Sequence, residues 1–95
     1  MEDHSIRIER DFTPSKLHFA PVFNVAVPFI DRHLKEGRAS KVAIRSDAGE
    51  VTYAQLAANV NRTANLMRRM EIVPGQRLLM VVKDCAEFFY LFWGA

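Results

Sequence analysis

The sequence contains a single cysteine, Cys85, so no intramolecular disulfide can form. An unstapled chain of this kind reads as intracellular rather than secreted. It also lacks long apolar runs: residues 78–82 and 88–93 are the longest, well short of the roughly 20 residues that a membrane-spanning helix needs. Residues 1–11 are charged throughout and have no apolar stretch of the sort that opens a signal peptide. The cytoplasm is therefore the expected location, with no membrane partner. Excess charge is missing too. Thirteen Lys and Arg stand against eleven Asp and Glu, a net charge of +2, and only Arg68 and Arg69 are adjacent bases. That is no footprint for nucleic acid. The four glycines (Gly37, Gly49, Gly75, Gly94) are isolated, which excludes a Gly-rich phosphate loop. The three histidines, His4, His18 and His33, have neither metal-ligand spacing nor a cysteine pair nearby.

What is present is an ordinary globular balance. Apolar residues make up 49% and charged residues 25% of 95 positions, which suits one small domain at most. Residues 1–23 have no sustained period and contain Pro14 and Pro21; they read as an extended N-terminal arm that lies against something else through Phe12, Leu17, Phe19, Val22 and Phe23. Helical spacing begins at Asn24, a candidate N-cap, with Val25, Phe29, His33 and Leu34 on one face and Gly37 at the C-terminal end. Pro28 is tolerated because it falls in the first turn. Residues 42–45 and 50–52 read as two short strands joined by Asp47-Ala48-Gly49, a hairpin.

Thr52-Tyr53-Ala54-Gln55 then fits a capping box, in which a hydroxyl and an amide side chain satisfy two backbone donors reciprocally. Tyr53, Leu56, Val60, Ala64 and Met67 follow at helical spacing, with Asn59, Asn61, Arg62, Asn65, Arg68 and Arg69 on the wet side, so an amphipathic helix is expected to end near Met70. Pro74-Gly75 marks a turn. Residues 77–82, R-L-L-M-V-V, form an apolar run that suits a strand covered on both faces. Asp84 is the expected N-cap of a last helix, with Glu87 three residues on, near the positive end of its dipole. Helix, strand and helix in that order predict a βαβ unit with a right-handed crossover.

Candidate chemistry is sparse. Cys85 at a helix start has the placement of an activated thiol, but Asp84 beside it opposes a thiolate and no base is near in sequence; a structural role accounts for it. Helix capping accounts for Asp84 and Glu87, a helix C-terminus for Arg68 and Arg69, and core packing for Trp93. The sequence thus predicts no catalytic, cofactor-binding or metal-ligating residue here. Its last helix is the telling feature: Phe88, Phe89, Tyr90, Leu91, Phe92 and Trp93 leave no polar face, so this helix requires covering on more than one side. The expectation is a truncated piece of a larger protein, with the remainder of its own chain packing on residues 88–93. The alternative is a stand-alone module that dimerises through that surface.

Taken together, D-A-G-E-V-T-Y-A-Q-L, N-R-T-A-N-L-M-R-R, V-P-G-Q-R-L-L-M-V-V-K-D and E-F-F-Y-L-F-W-G-A resemble the start of the acyl-adenylate-forming enzymes. That superfamily includes acyl-CoA synthetases, peptide-synthetase adenylation domains and luciferases. Thr52, Tyr53 and Leu56, and the element from Pro74 to Leu78, carry most of the likeness, which runs from about Phe23 onward; Gln76 replaces the commoner Asp of its turn. The segment F-N-V-A-V-P-F-I-D-R-H-L resembles the benzoate-CoA ligase branch. The resemblance implies an α/β fold: the start of a large N-terminal domain, a hairpin plus βαβ unit of a mostly parallel sheet, with residues 24–95 its first, incomplete part. It implies a parent that couples an aromatic carboxylate to coenzyme A with ATP and Mg2+, through an acyl-adenylate, releasing AMP and pyrophosphate. The parent's chemistry-bearing residues are expected downstream; a homodimer is one expected form, and the sequence does not give the oligomeric state. A fatty acyl-CoA synthetase or a peptide-synthetase adenylation domain is the alternative within it.

Overall fold

The structure, a computed structural model, describes residues 3–95. It opens with an antiparallel hairpin, β1 (Ile6–Glu9) and β2 (Lys16–Phe19), inside the stretch expected to be an extended arm. Ile6 pairs with Phe19 and Ile8 with Leu17, placing four apolar side chains on one face; Arg7, Glu9, Lys16 and His18 alternate onto the other. There Glu9 accepts from His18 Nε2 at 2.6 Å. The hairpin is tied to the following helix by the Asn24 N–H, which donates to His4 Nδ1 at 2.8 Å, and by the Phe19–Phe23 ring contact at 4.9 Å.

The first helix starts later than its sequence suggests. Asn24 Oδ1 accepts from the Ala26 N–H at 3.0 Å, and helical winding begins at Ala26. Residues Val27–Asp31 are π-wound and run directly into α1 (Arg32–Lys35). The wider winding moves the buried stripe: Ile30 is 3% exposed, whereas Phe29, placed inside by simple helical spacing, is 51% exposed. The end is as expected from sequence. The Gly37 N–H donates to the Leu34 carbonyl at 3.3 Å and the Arg38 N–H to the His33 carbonyl at 2.8 Å, a Schellman closure with Gly37 at φ +83°.

The second hairpin is also as expected: β3 (Val42–Ser46) pairs antiparallel with β4 (Gly49–Thr52) across Asp47-Ala48. A register irregularity between Val42 and Ile44 lets the consecutive residues Ala43 and Ile44 both reach the core. Thr52 then caps α2 (Tyr53–Arg69) with a complete capping box. Thr52 Oγ1 accepts from the Gln55 N–H at 3.2 Å and Gln55 Oε1 accepts from the Thr52 N–H at 2.9 Å. The inward face of α2 buries Leu56, Ala57 and Val60, which with Ile30 make up the buried core. At its other end the same closure recurs without glycine: Glu71 takes φ +59° while its N–H donates to the Arg68 carbonyl at 3.0 Å.

Two further expectations are not met among the described residues. Residues 77–82 form no strand, and the two sheets of the described residues are both two-stranded and antiparallel, so the βαβ unit and its parallel sheet are not formed. The physical reason lies in pairing, since a parallel strand needs a neighbour to accept its hydrogen bonds and none of the described residues supplies one. The last helix, α3 (Ala86–Gly94), takes Cys85 rather than Asp84 as its N-cap residue, and Cys85 gives no side-chain cap bond to the backbone.

Two substitutions test this account in opposite directions. Thr52→Ala is expected to cost about 1 kcal/mol through loss of the cap. Glu71→Gly is expected to gain up to about 1 kcal/mol by relieving left-handed backbone strain. Urea unfolding of each variant, with an unchanged slope, checks both; equal midpoints would refute them.

Candidate functional site

The most developed concave surface lies around α3. This helix docks on α2 where Gly94 meets Thr63: a Cβ built on Gly94 would stand 2.9 Å from Thr63 Cβ and Cγ2 and 3.2 Å from the Val60 carbonyl oxygen. Any larger residue must push the helices apart. From this dock Trp93 and Tyr90 reach the core cluster, and Trp93 stacks on Phe29 with ring centroids 5.7 Å apart and planes at 25°. Phe88, Phe89, Phe92 and Trp93 continue the aromatic wall through edge-on and stacked contacts of 5.2–6.2 Å. The wall is half-covered. No α3 residue is buried, and Phe89 and Phe92 are 40% and 54% exposed.

Two open grooves flank the wall. The larger, of 790 Å³, runs between α2, α3 and residues 72–80, with Asn61, Met67, Arg68, Met80 and Phe92 among its lining. The smaller, of 390 Å³, is apolar, bounded by Phe29, Ile44, Leu56, Phe89 and Trp93 with Arg45 at its edge. Arg45 is engaged by Glu50, its cross-strand neighbour, at 3.5 Å. Beside the larger groove, Leu79 and Val81 are 92% and 89% exposed while Leu78 and Val82 are near 44%. This period-two alternation is that of a strand without a sheet.

The polar residues singled out from sequence occupy separate places. Glu87 lies in the first turn of α3. Its carboxyl is held below the usual range first by a hydrogen bond from its own backbone N–H and second by one from the Cys85 thiol. Arg68 and Arg69 lie exposed in the last turn of α2. His33 sits away from all of these, stacked on Tyr53, with Nδ1 accepting from Arg38 Nε at 2.9 Å. Gln76 fills its turn role directly: its N–H donates to the Val73 carbonyl at 3.2 Å and its side chain accepts from the Val73 N–H at 2.8 Å. Among the described residues no three His, Cys, Asp or Glu side chains gather as a metal site, and no helix is long and apolar enough to cross a membrane. Sequence reasoning missed the two grooves, which depend on how α3 seats on α2, and the corner at His33, which depends on how the first helix meets α2.

Gly94→Val is expected to lift α3 from α2, at a cost of about 1–3 kcal/mol. Trp93 is the only tryptophan, so its emission should shift to longer wavelength, and Thr63→Gly should restore it. Unchanged emission in Gly94→Val would contradict the docking geometry.

Comparison with known proteins gives this surface a context. No protein-family model and no solved structure matches the chain. Curated relatives do. A 4-hydroxybenzoate–CoA/benzoate–CoA ligase of Rhodopseudomonas palustris is 36% identical over 73 residues, 77% of this chain and 14% of that protein. A benzoate–CoA ligase of Thauera aromatica is 36% identical over 84 residues, 87% of this chain and 16% of that protein. An acetyl-coenzyme A synthetase of Helicobacter acinonychis is 38% identical over 74 residues, 72% of this chain and 11% of that protein. The chain thus spans between a tenth and a sixth of the length of these relatives. Over about three quarters of its length or more, it is homologous to the acid–CoA ligases, benzoate-type enzymes among them.

Proposed function

We propose that these residues are the N-terminal scaffold of an ATP-dependent acid–CoA ligase whose substrate is an aromatic carboxylate of the benzoate type. The observation that carries the aromatic reading is the extent of similarity: a benzoate–CoA ligase aligns over 87% of the chain, against 72% for the acetyl-coenzyme A synthetase of Helicobacter acinonychis. In the proposed parent the carboxylate becomes an acyl-adenylate, with loss of pyrophosphate, and the coenzyme A thiol then takes the acyl group and releases AMP. The mixed anhydride makes a poor acyl donor into a good one. Residues 1–23 act as an arm, and residues 24–95 as the first part of the α/β body.

The surface supports a scaffold role. A compact monomer of 10.9 kDa exposes about 5,600 Å², whereas this chain exposes 7775 Å². Its radius of gyration is 15.3 Å, against about 12 Å for a compact chain of this length. The excess is apolar in character, at Leu79, Val81, Phe89 and Phe92. In the parent, residues 78–82 enter a parallel sheet and further chain covers the aromatic wall. No nucleotide step is assigned to the residues described. Helix N-termini are the ready anion sites of such folds, but the α2 start is filled by Gln55 and the α3 start carries the Glu87 carboxylate. In this proposal ATP, Mg2+ and coenzyme A, and the catalytic groups, are assigned to other residues of the complete enzyme.

Acetate is the second reading, favoured by the 38% identity to the Helicobacter acinonychis enzyme. The product of the complete reading frame, given ATP, Mg2+, coenzyme A and a panel of benzoate, hydroxybenzoates, acetate and medium-chain acids, is expected to form aromatic thioesters with stoichiometric AMP. Turnover of acetate alone would overturn the aromatic reading, and no AMP with any acid would overturn the ligase. Titration of ATP into residues 1–95 alone should give no saturable signal; a clear isotherm would place the nucleotide here after all.

A further inference from the structure

The first helix meets α2 at a corner built around His33. The imidazole lies on the Tyr53 ring, centroids 4.2 Å apart and planes at 29°. Its Nδ1 accepts from Arg38 Nε at 2.9 Å, which requires a neutral ring carrying its proton on Nε2. Arg38 is fixed in turn: its guanidinium pairs with Glu36 at 3.1 Å, and its backbone N–H closes α1 on the His33 carbonyl at 2.8 Å. The same loop then caps α2. The Ala39 carbonyl accepts from the Ala54 N–H at 2.9 Å and the Lys41 carbonyl from the Tyr53 N–H at 3.0 Å. With Thr52 holding the Gln55 N–H, the first three donors of α2 are all satisfied across this corner.

We propose that His33, Arg38 and Tyr53 form a proton-sensitive clasp that fastens the first helix and its loop to the N-terminal end of α2. A proton added at Nδ1 removes the acceptor that Arg38 uses, turns it into a donor facing a donor, and sets two cations side by side. The charged and titratable groups around the ring are Arg32 from α1, Glu36 just after it, Arg38 and Lys41 from the loop, and Tyr53 from α2. Three cations face one carboxylate, and that carboxylate is already shared by Arg32 at 3.4 Å and Arg38 at 3.1 Å. Burial first, then Arg38 and Arg32, hold His33 below its ordinary value of 6.5.

The sign follows from linkage. The unfolded chain binds this proton at a higher pH than the folded one, so the clasp's stabilisation is complete above pH 6.5. It is lost as pH falls toward the folded value. The effect reaches beyond the corner, because Phe29 and Ile30 lie one turn earlier on the same helix. Ile30 belongs to the core and Phe29 stacks on Trp93, so opening the clasp loosens the aromatic wall at Trp93.

Peptide-resolved hydrogen exchange on the product of the complete reading frame tests this between pH 7.5 and 5.0, with rates corrected for intrinsic exchange. Peptides covering residues 33–41 and 53–56 are expected to lose protection by up to about tenfold per pH unit as pH falls below 6.5, and to level off once the folded protein has taken up the His33 proton. His33→Gln is expected to flatten that dependence and Tyr53→Phe to preserve it. Deuterium uptake at the His33 C2 position gives its titration in the unaltered protein, with a midpoint expected below 6.5. Protection in the wild type that does not change with pH, the same acid loss in His33→Gln, or a His33 midpoint at or above 6.5 would each overturn the proposal.

Discussion

The contact between Ile30 and one stripe of α2 is the joint on which the described residues depend. Among the described residues four side chains, Ile30, Leu56, Ala57 and Val60, are the buried core, and partly buried groups pack against them: Ala26 beside the first helix, Ala43, Ile44 and Val51 from the second hairpin, Tyr53 from α2, and Tyr90 and Trp93 from α3. Burial of a side chain of this size stabilises by about 1.5–3 kcal/mol, whereas ordering the chain costs about 1–2 kcal/mol per residue. A cluster so small organises a local corner but leaves little reserve. The corner at His33 and the capping box at Thr52 therefore matter more here than such features would in a larger domain, because they fix the seating of the first helix that delivers Ile30.

The same scarcity explains the character of the outer surface. Residues 78–82 alternate in exposure as a strand does, yet they pair with nothing among the described residues, and α3 presents aromatic rings to the outside. A protein that retained this surface bare would expose an apolar patch of the kind that marks an interface. Homology to ligases several times longer offers the natural covering, and the proposed scaffold role unites the two observations.

Much of the local structure was legible in the sequence because it is written in short-range chemistry. Thr52 and Gln55 specify a reciprocal cap, Gly37 a left-handed closure, Asp47-Ala48-Gly49 a hairpin turn, and each forms where the residues indicate. What was not legible depended on distant partners or on winding. The strand over residues 77–82 is a property of a sheet, so an apolar run alone did not decide it. The π-wound turn at Val27–Asp31 rotated the buried stripe from Phe29 to Ile30, and no residue type announces that. At α3, the N-cap moved from Asp84 to Cys85, a one-residue displacement of the sort that terminal fraying makes common. The candidate surface around Trp93 was visible as an aromatic run, and its two grooves emerged only once α3 was seated on Thr63.

The central claim is that the apolar face at residues 78–82 is covered in the complete protein. The direct measurement is peptide-resolved thiol labelling of Leu79→Cys and Val81→Cys, in a Cys85→Ser background, on the product of the complete reading frame. The account predicts that both thiols resist labelling until denaturant is added. Labelling at the rate of an unfolded peptide under native conditions would contradict it.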